Sequence, residues 1–484
     1  MDRHDYVKHD AIGLATLVKR GAVTGEEVMA AAQEQIGFAN RSLNAVISSI
    51  DPGPSAGRGE LQRQAFAGVP LLMKDIGAAV AGAVTSCASR FYADQSMVAS
   101  SDSELTRRFR AAGLRIVGKT NLPELGFNVT TEPRLFGPTC NPWDLKHSAG
   151  GSSGGAAAAV ASGMVPIAHA TDGAGSIRIP AACCGLVGLK PSRGALPQGP
   201  AGADIYGGLV SEGVITRTVR DTALALDIAY GADAGAPYAA PARPPSFLAV
   251  LGTPSAPLRI GISTSVPGDV VVSPASMTAI EQVASILAQL GHHVEPVDLP
   301  LDDAGQLAVR EIYLMHVCAQ AAADLKTLRQ HGQLLPGAGS MEQINLAAAR
   351  RGQSISADDF LVTERRRHDL TRRMARLWEG CDILLTPALA GAAPMLGSFP
   401  TDHQDVGLHV GRMLRFSPFT AMFNVTGEPA IALPGPQQDH LPIGIQLAAK
   451  LGDDARLLHL AADLERALAV SENHAGDRVV AAFR

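Results

Sequence analysis

One stretch decides the fold of this chain: residues 147–194, HSAGGSSGGAAAAVASGMVPIAHATDGAGSIRIPAACCGLVGLKPSRG. By composition alone, its segment GGSSGG (150–155) is typical of a flexible linker. The segment, however, leads directly into an alanine-rich helical pattern and lies between apolar segments. This context favours a tight catalytic or anion-binding loop.

Strand and helix patterns alternate outward from this stretch. In chain order they predict a strand over 68–75, a capped helix over 101–113, a strand over 114–121, a helix and then a strand within 156–172, and a loop leading into a helix over 213–231. Such alternation predicts an α/β fold in which helices cover both faces of a sheet.

The rest of the chain adds helices before this core and both helices and strands after it. Apolar residues recur at helical spacing over 8–39, with Thr24 as a helix cap. A Pro- and Ala-rich surface connection is predicted over 232–257 and a long helical region over 303–379. Further strands are predicted after 257, near 299, and over 381–387, 431–435 and 442–449. We predict one domain over 1–484, with a helical segment over about 1–65, a core over about 66–231 and a less regular helical region over about 232–380.

Composition and charge exclude several classes of protein. The net charge of −5 is small for 484 residues and no long run of one sign occurs, so nothing indicates a nucleic-acid partner or an anionic membrane surface. The start, MDRHDYVKHDAIGL, is too charged for a signal peptide, and no run of about eighteen apolar residues follows. We therefore expect a cytoplasmic protein with no membrane partner.

No cofactor motif is present. The six cysteines lack C-x-x-C spacing and are predicted to be reduced thiols: Cys87, Cys140, Cys183, Cys184, Cys318 and Cys381. H-E-x-x-H, Walker A and dinucleotide fingerprints are also missing. The sequence therefore predicts neither a metal nor a cofactor.

Three separated motifs occur in a fixed order: VPLLMKD (69–75), GGSSGG (150–155) and TDGAGSIRIPAACCGLVGLKP (171–191). Together they resemble the amidase signature family, which hydrolyses carboxamide bonds, and the resemblance extends over essentially the whole chain. It implies a mixed central sheet, a small-molecule amide substrate that is linear or cyclic, and no cofactor. It is compatible with a homodimer, and it implies that the region over 232–380 shapes the access of the substrate.

The resemblance also implies a catalytic triad. The family's nucleophile falls on Ser176, its cis-peptide serine on Ser152 and its lysine on Lys74. A serine hydroxyl is a weak nucleophile that needs a base, and lysine can serve only when it is neutral. Because burial lowers the pKa of lysine, the apolar run before Lys74 is consistent with this role. Lys74 would take a proton from Ser152, which takes one from Ser176, and an acyl-enzyme forms.

The same resemblance assigns the residues around the nucleophile. It places the oxyanion hole on the backbone amides of Gly173, Ala174, Gly175 and Ser176. It gives supporting roles to Asp172, Arg178 and Ser153. Ala174 replaces a glycine of the family pattern, and its methyl group disfavours positive φ values.

Four further residues carry competing interpretations. His147 and His169 are predicted to be structural, because no G-x-S-x-G surrounds Ser176. Cys318 is either core or lines the substrate pocket, as a cysteine at about this place does in the similar 6-aminohexanoate cyclic-dimer hydrolases. Asn424 is predicted to bond a turn in preference to the alternative of bordering the pocket.

Two other functions remain as alternatives. The A subunit of glutamyl-tRNA amidotransferase shares the triad, but it commonly reads SIRQP with a YGRVSR-like continuation, whereas this chain reads SIRIP and PSRGALPQGP. A non-catalytic binding protein on this scaffold would have lost part of the triad, and none is lost. The sequence therefore favours a stand-alone hydrolase.

Overall fold

A mixed sheet of eleven strands forms the centre of the computed structural model, which describes residues 1–253, 256–266, 270–436 and 441–468. The strands are β1 (Val46–Ser49), β2 (Pro70–Lys74), β3 (Arg115–Thr120), β4 (Ile167–Asp172), β5 (Val187–Lys190), β6 (Ser211–Thr216), β7 (Arg259–Ile262), β8 (His293–Pro296), β9 (Ile383–Pro387), β10 (Ala430–Pro434) and β11 (Gly444–Ala449). In space they run β1-β3-β2-β4-β6-β5-β10-β11-β9-β7-β8.

Helices of very different lengths connect the strands. In chain order they are α1 (Arg3–Tyr6), α2 (Ala11–Arg20), α3 (Gly25–Leu43), α4 (Arg58–Leu61), α5 (Arg90–Asp94), α6 (Glu104–Ala111), α7 (Gly154–Ala161), α8 (Arg178–Cys184), α9 (Val219–Ala229), α10 (Phe247–Val250), α11 (Pro274–Gln289), α12 (Asp303–Gln330), α13 (Gln343–Gln353), α14 (Ala357–Ala375), α15 (Leu377–Gly380), α16 (Val406–Phe416), α17 (Ala421–Thr426) and α18 (Asp454–Ala467). A 3₁₀ turn covers Glu124–Gly126. In the described ranges, no helix has the length and apolar character needed to cross a membrane.

Both faces of the sheet are covered, as the sequence predicts. Along β10, Ala430 and Ala432 belong to one hydrophobic cluster, while Ile431 and Leu433 belong to another. Successive side chains of a strand point to opposite faces, so each face has its own core. The first cluster includes α7 and α8, and the second includes α9, α11 and α18.

The strand β4 occupies a central position that matters for the site. It pairs in parallel with β2 on one side and antiparallel with β6 on the other. Strands β2 and β4 therefore end at the same edge of the sheet, where Lys74 and Asp172 are their last residues. On the other side, Thr171 faces Glu212 of β6 in register.

Most predicted elements are confirmed, one prediction is wrong, and one strand was missed. The hydroxyl of Thr24 caps α3 in a capping box, as predicted. The predicted loop at the start of 213–231 is wrong, because residues 211–216 form β6, which pairs with β4 and β5. The strand β1 was not predicted; its apolar residues are few and it pairs only with β3 at the sheet edge among the described strands.

Residues 232–380 contain helices α10–α15, the strand β7 and the edge strand β8. Within this region α12 and α13 pack very closely. A Cβ atom added to Gly352 of α13 would overlap the backbone carbonyl of Cys318 on α12. The division of the chain into segments and its description as one domain stay predictions.

We predict opposite effects for alanine at two helical glycines. Gly37 lies inside α3 with open space around it, so Gly37→Ala should raise the free energy of unfolding by about 0.5–1 kcal/mol. Gly352→Ala should lower it by about 1–3 kcal/mol, because α12 and α13 must separate. Urea unfolding followed by circular dichroism measures both values. Equal effects of the two substitutions would contradict the close packing of α12 on α13.

Candidate active site

The amine of Lys74 lies inside the protein, surrounded by hydroxyl groups. Lys74 is 1% exposed, and its Nζ lies 2.7 Å from Ser152 Oγ, 2.8 Å from Ser153 Oγ and 2.9 Å from Thr171 Oγ1. No carboxylate touches Nζ in the described part of the chain. A neutral amine has two N–H donors and one lone pair, so three hydroxyl partners satisfy it as well as they satisfy the ammonium form.

The electrostatic environment of Lys74 favours its neutral form. Burial lowers the pKa of Lys74 to about 7, although the carboxylates of Glu212 and Asp172 act in the opposite direction. Near neutral pH a large fraction of the amine is therefore uncharged. The amine can then accept a proton from the hydroxyl of Ser152.

The three residues of the predicted triad converge on one cavity. Ser152 and Ser176 both line it, and Lys74 lies behind Ser152. The Gly151–Ser152 peptide is cis, as the family resemblance implies. The neighbouring Ser153 connects the two motifs, because its N–H donates to the Ser176 carbonyl at 3.2 Å and its hydroxyl contacts the Thr171 carbonyl at 3.3 Å.

The loop that carries Ser176 is fixed by the carboxylate of Asp172. Asp172 Oδ1 accepts the N–H of Gly175 at 2.6 Å, and Oδ2 accepts that of Ile177 at 3.2 Å. The Arg178 guanidinium donates to both oxygens, at 2.9 and 3.0 Å. Burial alone would raise the pKa of Asp172, but Arg178 outweighs it and holds that pKa well below its ordinary value.

Arg178 is fully buried and uses all of its donors. Besides Asp172, its N–H groups reach Asn424 Oδ1 at 2.7 Å, Gln446 Oε1 at 2.8 Å and the Thr420 carbonyl at 2.9 Å. Asn424 in turn donates to Asp172, to both its carbonyl and its carboxylate. The predicted supporting pair Asp172 and Arg178 is thus part of one buried network that joins β4, α17 and β11.

The predicted oxyanion hole needs one correction. The N–H of Gly175 is already taken by Asp172, so it is not free to bind a ligand. In the part of the chain that the structure describes, the N–H groups of Gly173, Ala174 and Ser176 donate to no protein group. Only Gly175 needs glycine for its conformation, with φ of +123°, whereas Ala174 has no positive φ. The alanine is therefore compatible with the loop.

Neither Asn424 nor Cys318 is among the described residues that line the cavity of Ser176. The prediction that Asn424 bonds a turn is wrong, because its side chain holds Asp172 and the Leu209 carbonyl instead. Cys318 is fully buried in the core beside Gly352, and burial raises the pKa of its thiol to about 11. These contacts favour the core interpretation of Cys318.

His147 and His169 differ in their surroundings. His147 is partly exposed and lies 3.3 Å from the carboxylate of Asp144. His169 is fully buried, its Nδ1 accepts the backbone N–H of Lys74 at 3.2 Å, and its Nε2 lies 2.6 Å from Glu212 Oε2. His169 therefore supports the strand end that carries Lys74 and does not contact Ser176.

Sequence reasoning missed several residues that line the cavity. Besides Ser152 and Ser176, the polar residues that line the cavity are Thr171, Tyr206, Glu212 and Tyr313, and the apolar ones include Ile76, Leu125, Ile205 and Val210. They come from five separate parts of the chain and share no motif. Glu212 could have been found through its strand, since a β6 paired with β4 puts residue 212 beside the motif that carries Ser176.

Comparisons with known proteins agree with this site. A family model described as Amidase matches residues 27–458. The chain is 35% identical over 474 residues to the 6-aminohexanoate-cyclic-dimer hydrolase of Pseudomonas sp. (strain NK87), covering 95% of this chain and 94% of that protein. A solved structure of 6-aminohexanoate cyclic dimer hydrolase superposes with a TM-score of 0.88 at 33% identity, covering 96% of this chain and 97% of the other.

A second solved structure, a bacterial aryl acylamidase of the amidase signature enzymes, superposes with a TM-score of 0.86 at 29% identity and covers 98% of both chains. Family, relatives and fold thus agree over nearly the whole sequence. The chain therefore belongs to the amidase signature family and is an amidohydrolase acting on carbon–nitrogen bonds other than peptide bonds.

Proposed function

We propose that this protein hydrolyses small carboxamides by itself, with Ser176 as nucleophile and with Ser152 and Lys74 as its proton relay. One observation carries the proposal: the buried amine of Lys74, with a pKa of about 7, lies 2.7 Å from Ser152 Oγ. Ser152 in turn lines the same cavity as Ser176. A buried base beside a serine is the arrangement that activates a hydroxyl for attack on a carbonyl.

In the first half of the reaction, Ser176 Oγ attacks the amide carbonyl. Its proton passes to Ser152, whose own proton passes to the neutral amine of Lys74. The developing oxyanion is bound by the N–H groups of Gly173, Ala174 and Ser176, which donate to no group in the described ranges. Gly175 contributes indirectly, because its bond to Asp172 holds the loop in place.

In the second half, the C–N bond breaks and the relay returns its proton to the leaving amine. The acyl group is then an ester on Ser176. Water, activated by the same relay, attacks this ester and releases the carboxylic acid, which regenerates the serine. The steps together consume the amide and one water molecule, and the protons circulate through the relay.

The substrate class follows in part from the relatives. A similar protein named for the hydrolysis of a 6-aminohexanoate cyclic dimer brings cyclic amides into the group of substrates to test. An aryl acylamidase of similar fold brings in aryl amides. We propose a small linear or cyclic amide, and we keep as predictions the cytoplasmic location, the lack of nucleic-acid and membrane partners, and the open question of a homodimer.

The amidotransferase alternative requires a partner that accepts ammonia. It is disfavoured by the sequence from Ser176 onward, which reads SIRIP and then PSRGALPQGP. An assay of the purified chain alone separates the two functions. Hydrolysis of simple amides without a partner subunit supports the stand-alone enzyme, whereas glutamine-specific activity that needs a partner supports the amidotransferase. Specific binding of amides without turnover would support the third alternative, a binding protein.

We predict that Ser176→Ala lowers amide hydrolysis by at least about a thousand-fold, because the covalent step needs this hydroxyl. Release of ammonia or amine from aliphatic, aryl and cyclic amides is the measurement. The circular dichroism spectrum should stay unchanged. Ser285→Ala, at an exposed serine of α11, is the matched control and should keep full activity. Turnover near the wild-type rate by folded Ser176→Ala would refute the assignment.

We predict that activity rises with pH through an acidic limb centred near pH 7, because the fraction of neutral Lys74 grows as pH passes its pKa of about 7. Lys74→Ala should lose both the rate and this limb. Lys74→Arg should retain less than about a tenth of the activity, since guanidinium stays protonated.

The control for these variants is Lys146→Arg, a conservative change at an exposed lysine. The profile of kcat against pH should be unaltered in this variant. If Lys74→Arg kept the wild-type rate and pH profile, Lys74 would be a structural cation and the relay would have to be abandoned.

We predict that dialysis against EDTA leaves the rate within about two-fold of its starting value. Among the described residues, no group of three His, Cys, Asp or Glu side chains could hold a metal ion. The measurement is the rate before and after dialysis, and after return of zinc. A large loss that zinc restores would contradict the mechanism.

A further inference from the structure

The carboxylate of Glu212 lies at the cavity, and the proposed mechanism does not use this carboxylate. The residue is 3% exposed, and it lines the same cavity as Ser152 and Ser176. One of its oxygens, Oε2, lies 2.6 Å from His169 Nε2. The other, Oε1, has no hydrogen-bond partner in the described ranges of the chain. Since Glu212 lines the cavity, this oxygen is open to it and can accept a hydrogen bond from a bound ligand.

The orientation of this carboxylate is fixed by its neighbours. His169 Nδ1 accepts the backbone N–H of Lys74, so the ring proton resides on Nε2 and is donated to Glu212 Oε2. The register of β4 and β6 sets Glu212 opposite Thr171, a hydroxyl partner of Lys74. Space beside Oε1 is kept by Gly77, where an added Cβ would lie 2.9 Å from that oxygen.

The ionic charge on the described cavity wall is negative. Among the described residues that line the cavity, none is lysine, arginine or histidine, and Glu212 is the sole carboxylate. Burial raises the pKa of the two lining phenols, Tyr206 and Tyr313, so both stay neutral. A cationic group therefore gains an attractive partner in this cavity, and an anionic group meets repulsion.

We propose that Glu212 recognises a protonated amine on the substrate, so that amino-substituted carboxamides are the preferred substrates of this enzyme. The proposal rests on the proposed function, because it places the amine in the cavity where Ser176 attacks. The ammonium group donates to Glu212 Oε1 in a charge-assisted hydrogen bond while Ser176 attacks the amide carbonyl of the same molecule. His169 is a positioning residue, since it acts only through the carboxylate.

The test compares matched pairs of amides at pH 8, where an aliphatic amine with a pKa of about 10.4 is protonated. Each pair is an ω-amino alkanamide and the unsubstituted alkanamide of equal length, from three to six carbons. At the best length, wild-type kcat/KM should favour the amino compound by about ten- to a hundred-fold. The amide bearing a terminal carboxylate, 5-carboxypentanamide, should be the poorest substrate.

Glu212→Gln keeps the shape of the side chain and an acceptor for His169, but removes the charge. It should reduce the amino-to-alkyl ratio of kcat/KM to within about three-fold of unity. Any change in the acidic limb through Lys74 affects both substrates equally and cancels in the ratio. Glu295→Gln, at an exposed glutamate of β8, is the matched control and should keep the wild-type ratio. An unchanged ratio in Glu212→Gln overturns the proposal, as does a wild-type enzyme with no amino preference.

A binding measurement separates this proposal from the catalytic one. Ser176→Ala should bind 6-aminohexanamide more tightly than hexanamide by calorimetry, and the added change Glu212→Gln should remove the difference. A preference in binding together with continued hydrolysis by Ser176→Ala would refute the nucleophile and leave the recognition standing. Equal binding of the two amides by Ser176→Ala would refute the recognition even where Ser176 is confirmed as nucleophile.

Discussion

The buried ion pair between Asp172 and Arg178 holds the loop that carries Ser176 in its shape. Removing both charges from water is costly, and a pair of this kind is stable only when every remaining donor and acceptor is satisfied. That condition holds here, because the five N–H groups of Arg178 all donate hydrogen bonds, to Asp172, Asn424, Gln446 and the Thr420 carbonyl. Since these partners lie on β4, α17 and β11, the pair connects the loop to elements more than two hundred residues away in sequence.

The two basic side chains beside the loop, Arg178 and Lys74, have opposite environments. Arg178 donates directly to a carboxylate, whereas Lys74 contacts three hydroxyl groups. The carboxylates that act on Lys74, those of Glu212 and Asp172, lie beyond hydrogen-bond distance of its amine. A directly paired lysine would stay charged and could not accept a proton. Burial without direct pairing brings the pKa of Lys74 to about 7, so a permanent cation lies close to a titrating amine, the base of the proposed relay.

The register of the sheet places the proposed amine-binding residue, Glu212, next to the proposed catalytic residues. Because Thr171 and Glu212 are cross-strand partners on β4 and β6, the hydroxyl that contacts Lys74 and the carboxylate that faces the cavity share one face of the sheet. A shift of one residue in this pairing would turn the Glu212 side chain to the opposite face. The proposed selection for amines thus depends on strand pairing as much as on the residue itself.

The sequence by itself determined the α/β class, most strands and helices, and the motifs around Lys74, Ser152 and Ser176. It could do so because hydrophobic periodicity and short motifs are local properties of the chain. Only the tertiary structure decided that Gly175 gives its N–H to Asp172, that Asn424 holds the loop and not a turn, and that residues 211–216 are a strand. Each of these depends on partners distant in the chain, and Glu212 reaches the cavity only through pairing of β6 with β4. Contacts of this kind leave no periodic signal in the sequence, because the partner of each group is chosen by the packing of the whole sheet.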